Sequence, residues 1–171
     1  ISKVIMNILR EVKVDNIVFS NKNPFTLIGG INVIESEAFA FQCAEVYKEV
    51  CDNLSINLVF KASYDKANRS SCQSFRGPGI EKGLKILRRI KNEFKIPIIS
   101  DVHTQDEAIK ASEVLDIIQL PAFLARQTDL ISALAKTNRV INIKKPQFLS
   151  PYQIRNVVNK FLEFKNNKLL I

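Results

Sequence analysis

The chain has 171 residues, 46% of them hydrophobic and 25% charged, which is typical of one soluble globular domain. These values exclude a disordered chain, a collagen-like repeat and a disulfide miniprotein, and no run approaches the roughly 20 apolar residues that span a bilayer. The net charge is +8 with three cysteines and no tryptophan, but the lysines are spread out and no RNA-binding aromatic motif occurs. We therefore expect neither a nucleic-acid nor a membrane partner. The low cysteine count and the lack of a signal-like N-terminus predict a cytoplasmic protein.

Short β-like runs alternate with amphipathic stretches, which is typical of βα units around a parallel sheet. Residues 2–19 predict an N-terminal hairpin or a capping segment that reaches residue 24. Strands are predicted over 26–34, 57–63, 96–102, 116–120 and 140–145, with a sixth starting at 168. Helices are predicted over 37–53 after Ser36, over 80–94, from Thr104 to 114, from Thr128 to 137, and from Pro151 to 165. In the first helix the apolar residues Phe39, Cys43, Val46 and Val50 recur at threes and fours.

Five βα units and the start of a sixth fit either a doubly wound sheet or a (β/α)₈ barrel cut short, since a complete barrel needs about 250 residues. Polar residues stand at the carboxyl ends of the predicted strands: Asn32, Lys61, Asp101, Gln119 and Lys144. In a barrel those ends converge on one site, whereas the glycine-rich fingerprint of a dinucleotide-binding sheet is absent. The sequence therefore predicts one domain over residues 1–171, folded as part of a TIM (β/α)₈ barrel with an N-terminal hairpin.

The densest polar stretch is FKASYDKANRSS, residues 60–71, where Lys61, Lys66 and Arg69 stand among amides and hydroxyls. Such a set suits a phosphate and a carboxylate, although a solvated basic loop would have the same composition. Gly77-Pro78-Gly79 predicts a tight turn before a helix, with Arg76 as a further candidate anion contact.

Two further strand ends carry candidate residues. Lys144 lies where a barrel mouth would bury it, which is costly unless an anion meets it, and Asp101 shares a face with His103, the single histidine of the chain. No cluster of Cys and His has the spacing of a zinc site. Cations, amides and one or two carboxylates without a nucleophilic triad favour the binding of two small phosphorylated anions.

The motifs GGINVIES, FKASYDKANRSS, FRGPG, ISDVH, IIQLPAFLARQTDL and INIKKPQFLSP follow one another in this order over about residues 25–165. They closely resemble the 3-deoxy-D-manno-octulosonate 8-phosphate (KDO 8-phosphate) synthases, also called 2-dehydro-3-deoxyphosphooctonate aldolases. The resemblance implies a homotetrameric (β/α)₈ barrel of the bacterial cytoplasm. It implies the condensation of phosphoenolpyruvate with D-arabinose 5-phosphate and water in lipopolysaccharide synthesis.

The same resemblance assigns roles to individual residues. Lys66 and Lys144 would counter the carboxylate and phosphate of phosphoenolpyruvate, and Arg69 with Ser70 would grip the sugar phosphate from a neighbouring subunit. We predict as catalytic residues Asn32, Lys66, Lys144 and Asp101. We predict as substrate-binding residues Lys61, Ser63, Lys66, Asn68, Arg69, Ser70, Gln119, Ala122, Lys144 and His103.

The metal-dependent class of this family carries a cysteine ligand where this chain has Asn32. Because an amide is a poor ligand for a soft divalent ion, we expect no metal and no cofactor. Three barrel units of the family are missing, so we expect a fragment or a truncated product that neither closes the barrel nor turns over alone. The alternatives are a related synthase of the DAHP or sialic acid type and a catalytically dead remnant.

Overall fold

A computed structural model describes residues 11–171 and begins with a short antiparallel hairpin. Its strands are β1 (Val12–Val14) and β2 (Ile17–Phe19), joined by a two-residue turn in which Asp15 has a φ of 49°. Asp and Asn tolerate this left-handed conformation in tight hairpins. The hairpin is therefore present, while the apolar run of residues 4–8, which we also assigned to it, lies outside the described residues.

Six parallel strands follow, each but the last leading into a helix. The strands are β3 (Thr26–Ile31), β4 (Asn57–Ala62), β5 (Ile98–Asp101), β6 (Ile117–Leu120), β7 (Val140–Ile143) and β8 (Leu169–Leu170). The helices are α1 (Glu37–Asn53), α2 (Ile80–Phe94), α3 (Gln105–Ser112), α4 (Thr128–Lys136) and α5 (Ile154–Glu163). A 3₁₀ turn, Ala122–Leu124, follows β6.

The spatial order of the strands equals their order along the chain, from β3 to β8. A doubly wound sheet would instead reverse direction at a switch point. Sequential parallel pairing with helices between the strands is the arrangement of a (β/α)₈ barrel, so the predicted partial barrel is confirmed.

The side chains of the strands alternate between two layers. Residues such as Phe60, Ile98 and Ile118 pack with the helices in the larger hydrophobic cluster. Their chain neighbours Val59 and Ile99 face the opposite side and belong to a second cluster. This period of two is what an extended strand dictates, and it makes the second side the barrel interior.

The hairpin closes the amino-terminal end of that interior. Val12, Val14 and Ile17 are buried against Val59 and Ile99 in the second cluster. The opposite end of the interior, where the strands finish, is left open for polar residues. This packing is what a capping segment requires, although the boundary that we placed at residue 24 stays a prediction.

Two helix starts agree closely with the sequence. The Ser36 hydroxyl accepts a hydrogen bond from the Phe39 amide at the start of α1, and Thr104 does the same for Glu107 at α3. Both are the expected N-cap contacts. Gly79, with a φ of 79°, leads directly into α2.

Two other helix starts were predicted wrongly. Thr128 is the first residue of α4 and not its cap, which is Gln127. Pro151 lies in a turn, and α5 begins only at Ile154. Ser150 still forms a reciprocal pair of hydrogen bonds with Gln153, so the capping interaction exists but precedes the helix by one turn.

Helix α1 buries a different face from the one with the largest apolar residues. The buried residues are Ala40, Ala44 and Cys51, whereas the exposed fractions of Phe39, Val46 and Val50 are 43%, 53% and 50%. Small side chains let the helix lie close to the sheet, because a larger side chain there would hold the two apart. Periodicity thus predicted the helix correctly but not its orientation.

A bilayer crossing demands a helix that is both long and strongly apolar. Between residues 11 and 171, none is both long enough and apolar enough to cross a membrane.

Candidate functional site

A cleft of about 880 Å³ opens at the carboxyl ends of the strands. Most of the predicted site residues line it: Asn32, Lys61, Lys66, Asn68, Asp101, His103, Gln119, Ala122 and Lys144. Ser63 lies fully buried beneath the floor, and Arg69 and Ser70 are outside the wall. The strand-end rule of barrels therefore predicted the location of the cleft correctly.

Close packing of β3 on β4 positions the first lysine. A Cβ atom on Gly30 would lie 2.0 Å from the Lys61 carbonyl oxygen, so a side chain cannot be accommodated there. The Gly30 carbonyl in turn accepts a hydrogen bond from the Tyr47 hydroxyl at 3.2 Å. Glycine thus lets the two strands approach while Lys61 projects into the cleft.

Ser63 is the centre of a polar network under the cleft floor. Its hydroxyl accepts from Lys66 Nζ at 2.8 Å and from Lys61 Nζ at 3.3 Å, and it donates to Asp101 Oδ1. Lys61 Nζ also lies 3.7 Å from the same carboxylate oxygen. One buried hydroxyl therefore holds two ammonium groups and a carboxylate in fixed relative positions.

The charges of this network shift the pKa values of its members. Burial lowers the pKa of Lys61 and of Lys66, and the neighbouring Asp101 only partly offsets that effect. Burial raises the pKa of Asp101, but contacts with His103, Lys61 and Ser63 outweigh it and hold that pKa well below its ordinary value. The floor thus combines an ionised carboxylate with two ammonium groups that an anion would stabilise.

His103 lies two residues beyond the end of β5, between two carboxylates. Its Nε2 is 3.3 Å from Asp101 Oδ2, and its Nδ1 is 3.3 Å from Glu107 Oε2. Burial lowers the pKa of the imidazole, but the two carboxylates outweigh burial and raise it to about 9. The side chain is therefore cationic at neutral pH.

The far wall is formed by the ends of β6 and β7. Asp101, Gln119 and Asn142 are register partners across three strands, and Asn142 Nδ2 donates to Gln119 Oε1 at 3.3 Å. The Lys144 backbone amide donates to the Leu120 carbonyl at 3.1 Å, which fixes the residue directly after β7. Lys144 lines the cleft and adds to the positive charge there, but the residue is exposed and not buried as we expected, because the mouth of the partial barrel is open.

The loop after β4 is closed at its base. The Lys66 amide donates to the Arg76 carbonyl at 2.7 Å, and the Arg76 guanidinium binds the Asp65 carboxylate through two nitrogens. Arg76 is thus engaged in an ion pair within the loop, and the anion contact that we considered for it stays a prediction. Arg69 does not line the cleft, and its Nε donates to the Phe75 carbonyl at 3.2 Å.

Asn32 follows β3 and is exposed on the cleft wall. Nowhere in residues 11–171 do three or more His, Cys, Asp or Glu side chains converge in a way that could hold a metal ion. The expected independence from metal stays a prediction that rests on the amide at this position.

Sequence reasoning missed three residues near the site. Tyr47 lines the cleft, while Tyr64 and Glu107 lie behind His103, with the Tyr64 hydroxyl donating to Glu107 at 2.9 Å. Tyr64 belongs to the densest polar stretch of the sequence, residues 60–71, but is fully buried. Glu107 could be found from the sequence, because an acidic residue three positions after an N-cap such as Thr104 turns its side chain back toward the residues before the helix.

The fold and the cleft define a class: a βα-barrel protein whose strand ends present lysines and a carboxylate to one cleft. The model of the DAHP synthetase I family matches residues 7–171, and the chain belongs to this family.

The individual relatives to which the chain is similar share one name. A 2-dehydro-3-deoxyphosphooctonate aldolase of Parasynechococcus marenigrum (strain WH8102) is 62% identical over 162 residues, which cover 95% of this chain and 57% of the relative. The protein of the same name from Aliivibrio fischeri (strain MJ11) is 54% identical over 162 residues, with the same coverage. The one from Chromobacterium violaceum is 56% identical over 156 residues, which cover 91% of this chain and 55% of the relative. The resemblance found in the sequence is thereby confirmed, and the chain spans about half the length of the curated relatives it matches.

Proposed function

We propose that the protein to which this chain belongs condenses phosphoenolpyruvate with D-arabinose 5-phosphate and water, giving KDO 8-phosphate and inorganic phosphate. The observation that carries the proposal is the convergence of Lys61, Lys66 and Lys144 on one cleft. Both substrates are anions that repel each other, and three ammonium groups reduce that repulsion and hold the reacting atoms in register. The names of the relatives, which refer to the same eight-carbon product, support this choice.

The reaction needs one new carbon–carbon bond and one addition of water. C3 of phosphoenolpyruvate bonds to the aldehyde carbon while water adds to C2, and the proton lost by the water is balanced by one gained at the aldehyde oxygen. The resulting hemiketal carries a hydroxyl and a phosphate on C2. Its collapse to the ketone breaks the bond between C2 and the phosphate oxygen and releases phosphate.

The cleft residues suit these steps. Lys66 and Lys144 counter the carboxylate and phosphate of phosphoenolpyruvate, with Lys61, Gln119 and Ala122 completing that pocket. Asp101, ionised at neutral pH, and the adjacent His103 supply an acceptor and a donor for the transferred protons. Asn68 and Asn32 add amide contacts on the remaining walls.

Lys144→Ala in the full-length protein tests the proposal. Release of phosphate from phosphoenolpyruvate in the presence of arabinose 5-phosphate should be abolished, because one of the three ammonium groups is removed. Lys145→Ala is the matched control, since Lys145 Nζ donates to the carbonyls of Pro146 and Leu149 at 2.7 Å and should leave most of the activity. Near-normal turnover by Lys144→Ala would refute the role of Lys144 in binding phosphoenolpyruvate.

The choice of sugar separates this proposal from a DAHP-type synthase. With purified full-length protein we expect phosphate release with arabinose 5-phosphate and little with erythrose 4-phosphate. The opposite preference would assign the chain to the erythrose-using enzymes of the same family.

We also propose a homotetramer in which Arg69 and Ser70 serve the cleft of a neighbouring subunit. Their position outside the wall of their own cleft supports this. Mixing full-length Arg69→Ala with Lys144→Ala should restore part of the activity, because some clefts then receive both intact groups. Mixed oligomers that form but stay inactive would argue against shared sites.

Activity is proposed for the longer protein, because the chain spans only part of its relatives. We expect the 171-residue chain alone to be inactive, and a native mass above 19.4 kDa would identify it as a piece. A native mass of 19.4 kDa would favour the catalytically dead remnant. A cytoplasmic location and a place in lipopolysaccharide synthesis stay predictions of the resemblance.

A further inference from the structure

Behind the cleft wall lies a polar pair that the proposed reaction does not use. Tyr64 is fully buried at the end of the β4 region, and Glu107 is in the first turn of α3. Neither residue lines the cleft. Both meet at the back of His103, whose ring forms part of the cleft wall.

The Glu107 carboxylate is fixed by two donors. Its Oε2 accepts from the Tyr64 hydroxyl at 2.9 Å and from the His103 backbone amide at 2.8 Å. The same oxygen lies 3.3 Å from His103 Nδ1, a buried nitrogen that has no hydrogen bond within the described residues. An anion held this firmly beside a buried nitrogen selects the form of the ring that carries a proton there.

The other side of the ring faces a second carboxylate. His103 Nε2 lies 3.3 Å from Asp101 Oδ2. A neutral imidazole has a single N–H, so one of its nitrogens would present a lone pair to a carboxylate oxygen. Only the doubly protonated ring presents an N–H toward both neighbouring carboxylates at once.

We propose that Glu107 and Tyr64 are positioning residues, which keep His103 doubly protonated and aim its Nε2–H at Asp101. The proposal deepens the proposed function and rests on it for the use of His103 in the cleft. Tyr64 acts through Glu107: burial and the adjacent carboxylate raise the pKa of Tyr64 far above its ordinary value, so it remains a neutral donor. Glu107 then acts through the ring.

The charged groups around His103 agree with this arrangement. Asp101 faces it from β5 and Glu107 from α3, and Tyr64 packs edge-on with ring centroids 6.4 Å apart. The ammonium groups of Lys61 and Lys66 belong to the network on the far side of Asp101. The two carboxylates nearest the ring therefore determine its protonation, consistent with its pKa of about 9.

The protonation state of His103 affects the neighbouring carboxylate in the cleft. An imidazolium beside Asp101 keeps that carboxylate ionised at the floor of the cleft. Without Glu107 the ring is free to become neutral and to turn its Nδ1 elsewhere, and the cation beside Asp101 is lost.

The test is an NMR titration of the His103 imidazole in the full native protein, assigned from the signal that disappears in His103→Gln. In Glu107→Gln the imidazole should bind its proton about tenfold more weakly, as expected when one adjacent carboxylate is removed. Tyr64→Phe should weaken proton binding about twofold, because Glu107 is no longer pinned. Asp106→Asn, an exposed neighbour in the same first turn of α3, is the matched control and should leave the titration unchanged.

An imidazole that titrates in Glu107→Gln as in the wild type would overturn the proposal. If circular dichroism shows that this variant does not fold, Tyr64→Phe decides in the same way, since an unshifted titration there overturns it too. The measurement needs no turnover. A protein without synthase activity but with both shifts would refute the proposed function and leave this positioning role standing.

Discussion

Protonation of His103 should make the folded protein more stable at neutral than at alkaline pH. Burial lowers the pKa of the imidazole, but Asp101 and Glu107 outweigh burial and raise it from 6.5 to about 9. A group whose pKa is higher in the folded than in the unfolded chain contributes stability that is complete below the unfolded pKa. That contribution is lost as the pH rises through the folded pKa, so the window runs from below pH 6.5 to above pH 9.

The size of the effect follows from the difference of about 2.5 units, since each unit corresponds to about 1.36 kcal/mol. The product is about 3 kcal/mol, with little solvent screening because the side chain is only 14% exposed. Lys61 and Lys66 act in the opposite sense: burial lowers their pKa values, so they favour the folded state as the pH rises. A comparison with His103→Gln, which keeps both lysines, isolates the imidazole.

The assay is urea denaturation followed by circular dichroism at about pH 6 and about pH 10, for wild type and His103→Gln. The difference in the free energy of unfolding between the two proteins should shrink by about 3 kcal/mol from the lower to the higher pH. A difference that is equal at both pH values, within the error of the extrapolation, would refute the reasoning.

Three further predictions concern packing, anion binding and metal. Gly83→Ala should lower the unfolding free energy by about 1 to 3 kcal/mol in urea titrations, because the new Cβ would lie 2.2 Å from the Tyr64 Cβ; a stability equal to the wild type would show that the helix shifts freely. Binding of phosphoenolpyruvate, measured by calorimetry, should take up protons and weaken as the pH rises toward 10.5, because burial lowers the pKa values of Lys61 and Lys66; proton uptake of zero would contradict their contact with the anion. The proposed synthase activity of the full-length protein should survive exhaustive EDTA treatment, since the resemblance places Asn32 where the metal-dependent class carries a cysteine ligand; loss that a divalent ion restores would overturn that argument.

Local signals in the sequence predicted α1 and α2 with the bounds found in the structure. Ser36 marks one start and the glycines around Pro78 mark the other, and both work through contacts within a few residues. These local signals did not predict which face of α1 is buried, since Phe39 and Val46 are exposed. Burial of a helix face depends on how closely the sheet approaches, which is decided by residues distant in sequence.

Some features of the candidate site could likewise be predicted from the sequence, and others could not. Lys61, Asp101 and Lys144 could be placed because every parallel strand delivers its last residues to one edge. The role of Ser63 as a shared hydroxyl could not, since it depends on side chains brought together from β4, β5 and the following loop. The position of Glu107 after the N-cap Thr104 could be read from the sequence. Its hydrogen bond with the Tyr64 hydroxyl could not, because the two residues are distant in sequence.

The two outer strands have a consequence for handling this chain. Within residues 11–171, β3 and β8 each pair on one side only, so each offers unpaired backbone donors and acceptors. The two edges are opposite ends of the sheet, since β3 is its first strand and β8 its last. The free edge of β3 in one copy can therefore form backbone hydrogen bonds with the free edge of β8 in another. Such head-to-tail contacts give a ring when the rotation closes and a growing filament when it does not. We therefore expect the isolated chain to polymerise through its sheet as its concentration rises.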